Sequence, residues 1–137
     1  MNPRRPFTVT LITLLVLLMT VSNIIRLVQV ISNWQYLFGL LNNTTVYLSV
    51  SALIWSITGL IISIAVWFGI PWAPNLTRIA ALVFSLHYWL EYLFLVNHTG
   101  RQSNWLFLLS INSLLILWLF WVLSRKASKA YFGVIHE

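Results

Sequence analysis

Cysteine is absent from all 137 residues. That removes disulfides, thiolate metal sites, iron–sulfur clusters and covalent haem attachment. Acidic residues are almost absent too: Glu91 and Glu137 are the whole set, against eight lysines and arginines. Charged residues of both signs make up only 7% of the chain, where soluble domains average about 25%. The four prolines (Pro3, Pro6, Pro71 and Pro74) avoid the interiors of the long apolar runs. No repeat relates the two halves. Broken helices and repeated halves, the usual marks of secondary transporters, are therefore missing.

What is present is apolar. Hydrophobic residues supply 60% of the chain and mean hydropathy is +0.87. Nearly all of this lies in four runs, at 7–32, 45–69, 76–97 and 104–124, each reaching the ~20 residues that cross a bilayer. The expected fold class is an all-α integral membrane protein. Four transmembrane helices form one antiparallel bundle over residues 1–137, with 125–137 as a basic cytoplasmic tail. The opening "MNPRRPFTVTLITLLVLLM" has the look of a signal peptide, but it is read as the first membrane helix. "FGIPWAPN" (68–75) ends the second helix at Gly69 and starts the third after Pro71 and Pro74. "NHTGRQSN" (97–104) makes a second short turn. Turns this short join antiparallel neighbours.

The net charge of +6 does not point to nucleic acid, because the basic residues flank apolar runs and form no stripe. Arg4, Arg5, Arg78, Arg125, Lys126 and Lys129 fall on one side of the topology, with only Arg26 and Arg101 toward the other. This bias places both termini in the cytoplasm, and the expected location is multi-pass in a membrane, the cytoplasmic or inner membrane if bacterial. It also separates the chain from small four-helix exporters that insert in both orientations. In the outer connection "NWQYLFGLLNN", Trp34, Leu37, Phe38 and Leu41 recur at helical spacing. That pattern suits a short interfacial helix, or an extension of the first helix.

Lipid provides no hydrophobic force between helices, so close approach and polar contacts must hold the bundle. The second helix carries Thr45, Ser49, Ala52, Ser56, Gly59 and Ser63 at alternating steps of four and three. These small residues form a packing face suited to left-handed crossing near +20°. An intramembrane polar cluster is expected from Asn23, Arg26, His87, Glu91 and Asn112. His87 and Glu91 share a face of the third helix. Counting rise along each span puts Arg26 roughly 10 Å and Glu91 roughly 7 Å outward of the midpoints. Opposite charges at one level suggest an Arg26–Glu91 pair between helices one and three, since unpaired charges in a bilayer cost about 2.5–3.5 kcal/mol each. Arg125, Lys126 and Lys129 form a patch for anionic lipid headgroups, followed by the apolar Tyr131, Phe132, Val134 and Ile135.

Chemical readings run short of residues. No motif marks a serine nucleophile. A metal centre needs three or four convergent ligands, and His98 lies about 16 Å along the helix from His87. No metal and no cofactor are expected; a pigment ligated axially by His87, or a proton or cation path through His87 and Glu91, fits the residue count. The expected partners are the bilayer and other membrane subunits or further copies of the chain. The expected function is a non-catalytic accessory or structural membrane subunit. The alternative is a small oligomeric proton- or ion-coupled transporter using Glu91 and His87.

Overall fold

The computed structural model describes residues 6–41, 43–95 and 104–133. Among the described residues six helices follow in order: α1 Phe7–Ser32, α2 Trp34–Leu41, α3 Asn43–Trp67, α4 Ala73–Leu95, α5 Trp105–Ser124 and α6 Lys126–Tyr131. No strand occurs among the described residues. Among the described residues, three helices (α1, α3 and α5) are long and apolar enough to span a membrane. At 23 residues, α4 has the length, but Arg78, His87, Glu91 and its aromatic residues lower its hydropathy. The expectations that concern Arg4, Arg5, Asn97, His98, Arg101, Val134 and Ile135 lie outside the described residues.

The chain divides into two compact units, one of Thr10–Phe68 and the other of Gly69–Glu137 together with the stretch before Thr10. In the first unit, α1 and α3 each bury residues at steps of seven. On α1 these are Thr13 and Thr20, then Asn23 and Val30; on α3 they are Thr45, Ala52 and Val66, and Ser56 and Ser63. A seven-residue step keeps one seam of an α-helix facing its partner. At the centre of the seam Gly59 leaves room for Thr20. A Cβ at Gly59 would run into the Thr20 hydroxyl and lie 3.1 Å from its Cβ. Further along, Thr13 and Leu17 share a shallow groove of about 160 Å³ with Ser63 and Trp67. Contacts thus move up α3 as they move down α1.

Asn33 alone interrupts the helical path between α1 and α2. Its N–H donates to the Gln29 carbonyl at 3.1 Å, and its own carbonyl accepts from Leu37 at 2.9 Å. This one-residue turn sets α2 apart from α1, while helical hydrogen bonds continue on both sides of it. Trp34 and Phe38 stack on one side of it, with ring centroids 5.7 Å apart.

In the second unit, α4 and α5 meet through polar side chains at two levels, Ser85 with Asn112 and Arg78 with Ser124. Gly69 adopts φ +67° just past the end of α3, the left-handed position that terminates a helix and that glycine occupies without a Cβ clash. Pro71 lies in the following turn and Pro74 at the second residue of α4, where its missing N–H costs nothing. Arg125 takes an extended conformation (φ −65°, ψ 144°) that breaks α5 from α6. The expected plain tail is therefore partly helical. Ser128 and Phe132, one turn apart, are 0% and 1% exposed. Tyr131 packs against the Gly69 turn. The apolar end of the tail is thus spent in part on its own chain.

Candidate functional site

Several hydroxyl groups on the long helices are satisfied locally. Thr20, Ser22, Ser49, Ser56, Ser63, Thr77, Ser110 and Ser124 each donate to the carbonyl four residues earlier, at 2.7–2.9 Å. This back-bonding keeps an O–H from being stranded in apolar surroundings. Thr45 and Ser128 have buried hydroxyl oxygens with no hydrogen-bond partner among the described residues. Both are the third residue of their helix, where no carbonyl of the same helix lies four positions back. The packing face expected on α3 is largely buried: Ala52 is 0%, Ser63 4% and Ser56 5% exposed. Ser49 and Gly59 are half-buried.

The polar residues expected to cluster are carried by both units. Asn23 and Arg26 belong to the first. The Asn23 carboxamide is buried and donates to the Met19 carbonyl at 2.9 Å, and Arg26 is half-buried. His87, Glu91 and Asn112 belong to the second. His87 Nε2 stands 3.8 Å from Glu91 Oε1, with side chains 22% and 15% exposed. None of Arg26, His87 and Glu91 is without a partner. Across α4 the geometry is two-sided. Ser85 Oγ donates to Asn112 Oδ1 at 2.9 Å, and His87, two residues on, points about 200° around the helix from Ser85. One side of α4 clasps α5, and the other carries the histidine–carboxylate pair.

Sequence reasoning missed Ser85 as the partner of Asn112. Arg78 and Ser85, seven residues apart on α4, both bond to α5, a frame that a lone serine does not reveal in the sequence. Sequence reasoning also missed Thr20, which repeats seven residues after Thr13.

Arg78 is the centre of a second polar group. Its Nη2 donates to Ser124 Oγ at 3.1 Å and its Nη1 to Asn75 Oδ1 at 3.4 Å. The guanidinium also lies 5.7 Å from the Phe120 ring centroid, and its Nε has no partner among the described residues. Arg125 stacks over the Trp121 ring at 3.7 Å, while Lys126 and Lys129 are exposed. Among the described residues no three histidine, cysteine or acidic side chains converge on a point that a metal ion would fill. No protein-family model, curated protein or solved structure matches the chain.

Proposed function

We propose that the chain is a non-catalytic integral membrane protein, an accessory or structural subunit that packs against a larger membrane complex. The observation that carries this reading is how little of its apolar helix surface the chain covers by itself. In the span-length stretches of α1, α3 and α5, 22%, 39% and 11% of residues are buried. Leu14, Leu18 and Ile25 on α1, and Phe107, Leu114 and Leu117 on α5, stand more than half exposed. Water does not tolerate contiguous apolar surface of this extent. Lipid and partner helices do.

In this reading α4 is a fourth span despite its polar residues, the four spans run antiparallel and both termini are cytoplasmic. Arg26 pairs with Glu91 at one level of the bilayer and ties the bundle together. Polar side chains otherwise serve packing: the back-bonded hydroxyls close the helix surfaces, and Ser85 with Asn112 joins two of them. The α5 surface, the least covered of the three, is the face offered to the larger complex.

A second reading is a small oligomeric proton- or ion-coupled carrier. The half-buried His87–Glu91 pair, on the side of α4 away from α5, is the observation that favours it. Glu91→Gln separates the two. A carrier variant remains folded and inserted but loses transport in reconstituted vesicles. A subunit variant loses assembly with its complex, or loses nothing.

A further inference from the structure

We infer that Arg78, Arg125, Lys126 and Lys129 form a binding site for the phosphate of an acidic phospholipid headgroup, built where the end of α5, the start of α4 and α6 meet; this rests on the membrane reading above. Counter-charge is missing around these cations among the described residues. Glu91 is thirteen residues beyond Arg78 on α4, about 20 Å along the helix, and Glu137 lies outside the described residues. Among the described residues the recorded side-chain partners of the two arginines are neutral: Ser124, Asn75 and Phe120 for Arg78, and Trp121 for Arg125. The carbonyl end of α5 supplies about half a negative charge. Among the described residues, most of the four positive charges is left uncompensated.

The fold gathers these cations. Ser124 holds the Arg78 guanidinium beside the break at Arg125, so residues 46 positions apart in sequence meet at one place. α6 then sets Lys126 and Lys129 on its exposed side, because Ser128 and Phe132 are buried on the other. Trp72 and Trp121, both exposed, lie in the same unit, as aromatic residues do at a membrane–water boundary. Planar guanidinium forks match phosphate oxygens, and flexible lysines add point charge at the surface. A lipid phosphate at this corner would meet the guanidinium groups, with the two lysines adding positive charge nearby.

The test uses the full chain in detergent with phosphatidylglycerol and phosphatidylcholine as probes, bound lipid being counted by native mass spectrometry. The site predicts preferential, salt-sensitive retention of phosphatidylglycerol, weakened about fivefold for each cation removed. K126Q/K129Q alters only exposed side chains and keeps the fold, so it reads the charge contribution alone. R78K retains the charge but loses the fork, and should bind more weakly than the parent. Equal retention of the two lipids, or unchanged retention in K126Q/K129Q, would overturn the inference. Competition by an RNA oligonucleotide without any preference between lipids would overturn it too, in favour of nucleic acid. Release of the parent protein from membranes by alkaline carbonate would instead sink the membrane reading itself.

Discussion

At the scale of single residues, Gly59 and Thr20 decide how closely α1 and α3 approach. Alanine is a better helix former than glycine by about 1 kcal/mol, so Gly59→Ala would stabilise an isolated α3. In the folded chain its Cβ meets the Thr20 side chain, whose hydroxyl is already committed to the Val16 carbonyl at 2.7 Å. We expect Gly59→Ala to destabilise by about 1–3 kcal/mol, and Thr20→Ala in the same chain to restore part of the loss. Thermal unfolding in detergent checks both; a raised melting temperature for Gly59→Ala alone would contradict the close approach. The Ser85–Asn112 bond should behave asymmetrically. With Asn112→Leu, Ser85 can turn to the carbonyl four residues earlier, as the other helical serines do. With Ser85→Ala, Asn112 keeps an acceptor with no donor. Membrane hydrogen bonds average about 0.6 kcal/mol and reach about 1.7, so Ser85→Ala should fall toward the upper figure and Asn112→Leu toward the lower. The small-residue face of α3 was legible because its spacing alone defines it. Ser85 was not, because a lone serine in an apolar run has no pattern until the seven-residue frame of α4 is known.

At the scale of elements, the four long helices were readable to within two residues at most described ends, since apolar runs and the Gly69 turn mark them. The separate α2 and α6 were less so. Both are short, and each is set apart by a single residue, Asn33 or Arg125, that composition does not single out. Gly69 carries the sharpest consequence. Its φ of +67° disfavours any side chain, and an added Cβ would lie 3.1 Å from the Tyr131 ring and carbonyl. Gly69→Ala should cost about 1–3 kcal/mol and loosen α6, seen as faster amide exchange at Ser128–Phe132. Whether α4 spans the membrane can be asked directly, because the chain has no cysteine of its own. Single cysteines at position 72, before α4, and at position 104, after it, should label from opposite sides of a sealed vesicle. Labelling from one side would remove α4 from the spans.

For the whole molecule, the proposed Arg26–Glu91 pair is tested by a coupling measurement. If the pair holds the bundle, Arg26→Leu and Glu91→Gln each destabilise, and the double variant is more stable than the sum of the two losses implies. Simple additivity would count against it. The pair came from depth counting, which fixes the level of a residue in a span but not the direction in which it points. That is why His87 and Glu91 could be placed on one face of α4 from spacing, while the partners of Asn112 needed three dimensions. The central claim, an apolar bundle completed by a larger membrane complex, is tested most directly by gentle detergent extraction at native expression, followed by the mass and visible spectrum of the intact particle. A colourless particle well above the mass of one or two copies, containing other membrane subunits, is the predicted result. A lone monomer or homodimer would contradict it, and absorption bands travelling with the protein would return His87 to consideration as a ligand.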